Sequence, residues 1–109
     1  RLRDLPREVF ETVFLNTAGV IAGDATISEG GLAASIVEPR AVFRKAILEN
    51  AAALVCLHNH PSGTHEPSRE DVRVTKQLVE AGKLMGVPVN DHLIIAGRQW
   101  TSLAERGLM

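Results

Sequence analysis

The sequence predicts an α/β fold, a single domain in which a mixed β-sheet is flanked by helices. Short stretches of apolar, β-branched and aromatic residues are typical of strands, and two longer stretches carry apolar residues at helical spacing. Along the chain they read β-β-α-β-α-β, which favours helices packed on a mixed sheet. A length of 109 residues suits one domain, spanning residues 1–109. Because the chain begins with Arg1 rather than methionine, we expect this domain to be part of a longer protein.

Two strands joined by a turn open the domain. Residues 9–15 are rich in β-branched, aromatic and aliphatic side chains. Residues 16–19, NTAG, have the composition of a turn, and a second strand is predicted at residues 20–27. The pattern therefore predicts a β-hairpin. A Gly-rich connection over residues 28–35 follows it.

A helix and a buried strand come next. Pro39 suits the first turn of a helix, because its missing N–H would have no partner there. An amphipathic helix is predicted over residues 40–51, and residues 52–58 are short and continuously apolar, which predicts a strand covered on both faces. The apolar residues at helical spacing are Val42, Phe43, Ala46 and Ile47.

The second half of the chain repeats the helix-then-strand order. Ser68 is suited to begin a helix and Gly86 to end it. Residues 87–97 predict another strand, and residues 98–109 predict a short strand or turn followed by a helical tail. The side chains predicted to form the core stripe of the helix are Val72, Leu78, Val79 and Leu84.

The composition is that of an ordinary globular protein. Charged residues make up 23% of the chain and the net charge is −1, so bulk charge gives no argument for nucleic-acid binding. No stretch reaches the roughly 18 apolar residues of a membrane span, and the N-terminus lacks a signal peptide. The single cysteine, Cys56, lies in an apolar run, which indicates an inert buried thiol in a reducing compartment. We expect a cytoplasmic protein without membrane contact.

Three histidines and several acids cluster in residues 56–71, CLHNHPSGTHEPSRED. His58 and His60 are two apart at a strand end, so extended backbone directs both side chains to one side. Asp71, in the first turn of the following helix, is the candidate third ligand. Two imidazoles and a carboxylate with a fourth position left for water are typical of a catalytic zinc site.

The same letters also fit a site without metal. Residues 68–71, SRED, match the capping box, in which Ser68 caps the helix and the Asp71 carboxylate accepts from the Ser68 amide. On that interpretation the two histidines are polar residues at a strand end. Two other zinc-binding motifs do not match. Arg69 replaces the second histidine of H-E-x-x-H, and a single cysteine cannot supply P-C-x-x-C.

The motif resembles that of a known group of metalloproteases. HNHPSG at residues 58–63 and PSRED at 67–71 are similar to the JAMM (MPN+) motif, H-x-H followed after about seven residues by S-x-x-D. The segments RKAILENAAALVCLHNHPSG, PSREDVRVTKQLVEAGKLMGVPVNDHLIIAG and SLAERGL resemble the C-terminal domain of the RadC family of bacterial proteins. The resemblance extends from about Arg7 onward and implies a JAMM/MPN, cytidine-deaminase-like architecture.

The resemblance also implies roles for individual residues. His58, His60 and Asp71 would bind one Zn²⁺, and the Ser68 hydroxyl would stabilise the oxyanion. The family's general acid/base on an upstream strand corresponds to Glu8, with Glu11 as the runner-up; three residues apart, they would face opposite sides of a strand.

Outside the metal motif, some positions match the RadC pattern and others depart from it. Asp91 and His92 match the family's D-H before an apolar strand, and they either support the site from behind the ligands or form an ordinary polar pair at a strand start. Ala41 and Gly31 depart from the residues that are usual in RadC, which leaves substrate-side detail open.

Three functions remain open at this stage. The first is a zinc-dependent hydrolase of amide or isopeptide bonds acting on a peptide or protein. The second is a DNA-repair or nucleic-acid-associated accessory domain, with DNA bound through a further N-terminal region. The third is a metal-bound interaction scaffold without turnover. Only three phenylalanines and one tryptophan are present, which gives the second little support from this chain.

Overall fold

Five strands form one mixed sheet in the order β2-β1-β3-β4-β5 in the computed structural model, which describes residues 2–29 and 37–109. A short 3₁₀ turn, Leu2–Asp4, precedes the first strand. The elements in chain order are β1 Val9–Leu15, β2 Ile21–Glu29, α1 Pro39–Leu48, β3 Ala53–Asn59, α2 Arg69–Met85, β4 Val89–Ala96 and β5 Gln99–Ser102.

Strand β3 lies at the centre of the sheet. It pairs antiparallel with β1 and parallel with β4, so that His58 lies opposite Phe10 on one side and Ile94 on the other. The parallel pair is joined by the α2 crossover, while β1–β2 and β4–β5 are antiparallel neighbours. The C-terminal end of β3 therefore lies between the start of β1 and the end of β4.

The starts of both helices and the end of α2 lie where the sequence indicates, whereas α1 ends at Leu48, three residues before its predicted end. Pro39 occupies the first turn of α1. Ser68 caps α2 and makes a complete capping box with Asp71, which satisfies two backbone N–H groups at the helix start. Gly86 ends α2 in the left-handed region at φ 74°, a conformation that glycine adopts without strain.

The core fills the space between both helices and one face of the sheet. Phe10, Phe14 and Leu54 from the strands contact the helices in a single buried cluster. This cluster also contains Cys56, which is fully buried, so burial, with a smaller contribution from Asp91, raises the pKa of its thiol to about 12. The prediction that this thiol is buried is confirmed. The helix residues of the cluster are Val42, Phe43, Ala46, Val74 and Leu78.

The predicted fold class, a mixed sheet flanked by helices, is confirmed, and so are the hairpin and both helices. The Gly-rich connection is predicted at residues 28–35. Its first two residues, Ser28 and Glu29, belong to β2, and residues 30–35 lie outside the described residues. Strand β3 alternates between buried and half-buried residues, so only one of its faces is fully covered.

Two predictions about α2 and the C-terminus are wrong. Leu84 is 89% exposed, because the buried stripe of α2 runs through Val74, Leu78 and Gly82 and leaves Leu84 on the outer side. The predicted helical tail is absent: residues 103–107 form successive turns. The Asp91 carboxylate accepts from the Ala104 amide and holds this segment against β4. No helix within residues 2–29 and 37–109 is long and apolar enough to cross a membrane.

Gly82 marks the closest approach of α2 to the chain that leaves it. A Cβ at this position would lie 2.5 Å from the Val87 carbonyl oxygen, a backbone atom that cannot rotate away. We expect Gly82→Ala to lower the free energy of unfolding by about 1–3 kcal/mol, despite alanine's higher helix propensity. Urea unfolding measures this, with Gln77→Ala on the exposed side of α2 as the control. Equal or greater stability of Gly82→Ala would contradict the close approach.

Candidate metal centre

Four side chains from three segments meet where β3 ends. His58 is the penultimate residue of β3, and His60 follows the strand while its amide still donates to the Ile95 carbonyl of β4, 2.8 Å away. Asp71 lies in the first turn of α2 and Glu8 directly before β1. Extended backbone through residue 60 therefore directs both histidines to the same side, and their rings meet edge to face at 4.7 Å.

Asp71 takes part in the capping box and contacts both histidines at the same time. Its Oδ2 accepts from the Ser68 amide at 2.7 Å and lies 3.2 Å from His60 Nε2. Its Oδ1 lies 3.2 Å from His58 Nδ1. The side chain is 1% exposed. The two interpretations of SRED therefore coexist, since capping fixes the carboxylate in the position where it faces two imidazoles.

The charges in this cluster stabilise one another. Burial alone would raise the pKa of Asp71, but the imidazoles of His58 and His60 and the Ser68 amide outweigh burial and hold that pKa well below its ordinary value. The Asp71 carboxylate in turn raises the pKa of His60, against an opposing effect of burial. Asp71 is therefore ionised across the physiological range, as a metal ligand has to be.

The ring of His60 is fixed by a backbone carbonyl. His60 Nδ1 lies 2.9 Å from the Thr64 oxygen, which the turn at His60–Gly63 brings back over the ring. A carbonyl can only accept, so Nδ1 carries the proton and a neutral His60 presents an unprotonated Nε2 to the cluster. Holding one imidazole nitrogen in this way is typical of metal-binding histidines. This role of Thr64 could not be predicted from the sequence, because the residue contributes only its backbone carbonyl.

His58 has nitrogen atoms that the protein leaves without hydrogen bonds. It is 1% exposed, and neither ring nitrogen has a hydrogen-bond partner among the described residues. The contact of Nδ1 with Asp71 lacks hydrogen-bond alignment, and Nε2 lies 3.8 Å from a Glu8 carboxylate oxygen. Ligand atoms of Glu8, His58 and His60 all lie within 4.8 Å of one another. Buried polar atoms rarely lack partners, so this donor set fits a metal ion.

The two candidate bases lie on different faces of the sheet. The Glu8 side chain is 35% exposed beside His58 Nε2, whereas the Glu11 side chain lies near Leu57 and Ile95 on the opposite face. Geometry therefore places Glu8, and not Glu11, at the histidine cluster.

Asn59, between the two histidines, holds the segment that carries Glu8. Its side chain points away from the histidines, where Oδ1 accepts from the Val9 amide at 2.6 Å and Nδ2 donates to the Arg7 carbonyl at 2.9 Å. Because Arg7 and Val9 flank Glu8 in the chain, these two bonds fix the backbone on either side of it. Asn59 is 2% exposed, and sequence reasoning missed it. The signal was present, since alternation along a strand sends the middle residue of H-N-H to the other side.

Ser68 is exposed and contacts the cluster through Asp71. Its Oγ accepts from the Asp71 amide at 3.1 Å, which leaves the hydroxyl hydrogen able to donate elsewhere.

His92 lies behind the ligands and is linked to α2. Its ring packs edge to face on Phe10 at 5.5 Å and lies 5.9 Å from the His58 ring. Its Nδ1 hydrogen-bonds the Thr75 hydroxyl, which donates to the Asp71 carbonyl at 2.6 Å. Burial, followed by the charge of His58, lowers the pKa of His92 to about 4, so the ring is neutral near pH 7. Thr75 was not anticipated from the sequence.

Asp91 has a different set of partners. Its carboxylate accepts from the His92 amide, the Ser102 hydroxyl and the Ala104 amide at 2.7, 2.6 and 3.1 Å respectively. These bonds fasten β4 to β5 and to the C-terminal turns. Of the two residues predicted to support the site, His92 is therefore the one whose ring lies against a candidate ligand.

These observations define a class of protein: an α/β domain of JAB type, with H-x-H at a strand end and S-x-x-D at the start of the following helix. Residues 1–108 match the family described as "RadC-like JAB domain", and the chain belongs to this family.

Relatives of this chain carry the name UPF0758 protein. A UPF0758 protein of Salinibacter ruber is 68% identical over 108 residues, which are 99% of this chain and 46% of that protein. A UPF0758 protein of Methanosarcina acetivorans is 46% identical over 109 residues, 100% of this chain and 48% of that protein. The chain therefore spans about half the length of the curated relatives that it matches.

The coupling of Asp71 to His60 predicts a pH effect in metal-free protein. Since the folded-state pKa of His60 is raised, the pair stabilises the fold below about pH 6.5, and this contribution is lost as pH rises through the raised value. We expect Asp71→Asn to bring the pKa of His60 below that of wild type and to flatten the pH dependence of stability there. NMR titration of the His60 ring proton measures it, with Glu70→Gln as the control. An unchanged midpoint in Asp71→Asn would show that the two groups are not coupled.

Removing the Asn59 side chain should loosen the segment that carries Glu8. Asn59→Ala leaves the buried Val9 amide and the Arg7 carbonyl without their partner, which costs about 1–3 kcal/mol of unfolding free energy. Urea unfolding gives the loss, and hydrogen exchange at the Val9 amide should become faster. The exposed Asn90→Ala in β4 is the matched control. Unaltered exchange at Val9 would mean that Asn59 does not hold this segment.

Proposed function

We propose that this domain is a zinc-dependent hydrolase of amide or isopeptide bonds, with the ion held by His58, His60 and Asp71. One observation carries the proposal: a carboxylate that is 1% exposed and ionised faces a nitrogen of each of two buried imidazoles at 3.2 Å. Imidazole nitrogens and a carboxylate oxygen suit Zn²⁺, and three protein ligands are the number found in catalytic sites.

The two carboxylates near the histidines suit different roles. Asp71 is buried, is fixed by the Ser68 amide and contacts both histidines, which favours it as the ligand. Glu8 is more exposed, and its 3.8 Å distance from His58 exceeds the 3.2 Å between Asp71 and each histidine, which favours Glu8 as a group that exchanges protons with solvent and substrate. The competing assignment makes Glu8 the ligand and leaves Asp71 to orient His58 through Nδ1. Substitution of each carboxylate separates the two assignments.

A zinc ion in such a site polarises a substrate carbonyl and lowers the pKa of a water molecule to about 7. The residues of the chain then act around the carbonyl. Glu8, held by the Asn59 bonds on either side of it, accepts the proton of the attacking water and passes it to the leaving amine. The Ser68 hydroxyl accepts from the Asp71 backbone amide in the helix cap, and its own hydrogen donates to the oxyanion that develops at the carbonyl.

The residues behind the ligands keep the site rigid. Thr75 joins His92 to the backbone of Asp71, so the first turn of α2 is tied to β4. Phe10 packs against the rings of both His58 and His92 and excludes water from their inner side. The link through Thr75 limits the movement of α2 relative to β4. The Asp71 carboxylate would therefore be held in position before an ion binds.

The class of bond follows from the resemblance to JAMM enzymes and from the pairing of a base with an oxyanion donor. The substrate is a peptide or protein that presents an amide or isopeptide carbonyl at the end of β3. A cytoplasmic setting agrees with the unpaired, buried Cys56. The DNA-associated alternative would draw on a part of the protein other than this domain.

Two variants separate ligand from base. Asp71→Asn removes a negative ligand and should lower zinc content from one ion per chain to near zero, as should His58→Ala. Glu8→Gln should retain the zinc and lower the rate of isopeptide or peptide hydrolysis by about 10²–10⁴-fold. Elemental analysis of dialysed protein and a fluorogenic peptide assay measure the two quantities. Glu70→Gln is the control for Asp71, and Glu11→Gln the control for Glu8.

Each alternative has its own outcome in this experiment. Full zinc in both Asp71→Asn and His58→Ala would overturn the metal site. Loss of zinc in Glu8→Gln with retention in Asp71→Asn would make Glu8 the ligand. Zinc bound at one ion per chain, with no hydrolysis of any peptide or isopeptide by the wild-type protein, would favour the interaction scaffold over the hydrolase.

A further inference from the structure

A groove lies next to Ser68, on the side of α2 that faces solvent. Its volume is about 490 Å³, within the range of about 300–1,000 Å³ that is usual for ligand clefts. Ser68 lines it, so the groove and the candidate metal centre share a residue. The far wall is formed by the C-terminal segment, including Arg106 and Leu108.

The charge of this groove is positive. Four basic side chains line it against one carboxylate, Glu66. Arg106 is already paired with Glu66 at 3.1 Å, and Arg73 is paired with Glu70. Arg69 and Lys76 have no hydrogen bond or ion pair with any part of the chain that the structure describes. Residues 69, 73 and 76 share one face of α2, so these two unpaired cations both project toward the groove.

The floor between these cations is apolar. Half-buried side chains of Pro67, Val72 and Leu108 line the groove beside the basic groups. The N-terminus of α2 also lies here, where the helix dipole favours an anion. An occupant that satisfies all of these features carries a negative charge directly beside an apolar group.

We propose that this groove binds a segment of the polypeptide substrate in which a glutamate or aspartate neighbours an apolar residue. The inference rests on the proposed function, because it places this segment beside the carbonyl that the metal centre would attack. The apolar side chain lies on Val72 and Leu108, and the acidic side chain pairs with Arg69 or Lys76. The groove is thus a specificity site for acidic, partly apolar substrate segments.

A peptide fits the groove better than a nucleic acid does. Glu66 lines the groove, and Glu70 lies beside it, paired with Arg73. These two carboxylates would repel a continuous line of phosphates. The described residues that line the groove include no aromatic side chain on which a base could stack. Isolated cations beside an apolar floor match a side chain with one charge.

Binding without turnover tests the groove directly. Three fluorescein-labelled peptides share one sequence and differ only on either side of a central leucine, with glutamate, glutamine or lysine at both positions. Fluorescence anisotropy is recorded with the purified protein, with and without EDTA. We expect the glutamate peptide to bind most tightly and the double variant Arg69→Glu/Lys76→Glu to weaken it about tenfold. The matched control is Arg98→Glu, an exposed arginine in the β4–β5 turn, which should leave binding unchanged.

The outcomes separate this inference from the proposed function. Equal affinity for the glutamate and glutamine peptides would overturn it, as would tighter binding of a DNA oligonucleotide that the double variant abolishes. Digestion of a mixed-sequence peptide library gives a second readout. The wild-type protein should prefer substrates with acidic residues, and the double variant should prefer substrates with basic residues. Cleavage without any acidic preference would overturn the inference and leave the hydrolase intact. Absence of cleavage with selective binding would overturn the hydrolase and leave the groove.

Discussion

The buried carboxylate of Asp71 is the constraint on which the site depends. A charge that is 1% exposed is costly unless its partners are fixed, and here they come from three places: the Ser68 amide and the imidazoles of His58 and His60. Each partner also serves the fold, since the Ser68 amide needs an acceptor at the start of α2, His58 belongs to the central strand and His60 continues its pairing with β4. The carboxylate therefore joins β3 to α2 at the point where the chemistry is proposed.

Much of this arrangement could be predicted from the sequence because it is local. The capping box depends on residues three apart, and the shared direction of His58 and His60 depends on the alternation of one strand. The alternation has two consequences at the end of β3. It sends the histidines to one side and Asn59 to the other, where Asn59 fixes the backbone around Glu8. The starts of both helices and the end of α2 could also be predicted, because Pro39, Ser68 and Gly86 act on their own turns.

What could not be predicted depends on residues that meet only in the folded chain. Thr64 acts through its carbonyl, so its side chain carries no signal, and Thr75 becomes informative only once His92 lies opposite it. Leu84 has the spacing of a core residue, yet no element of the described chain covers that side of α2. The C-terminal segment reads as helical, but Asp91 accepts from the Ala104 amide and holds the segment in turns instead.

The central claim is that one ion is shared by His58, His60 and Asp71 while the capping box stays intact. A crystal structure of the protein soaked with zinc, with anomalous differences recorded at the zinc edge, tests it most directly. We expect one peak at about 2.0–2.2 Å from a nitrogen of each histidine and from an Asp71 oxygen, with the Ser68 amide still bonded to that carboxylate and Glu8 outside direct contact. A peak bound by Glu8 with Asp71 outside contact, or no peak at the histidines, would contradict the account.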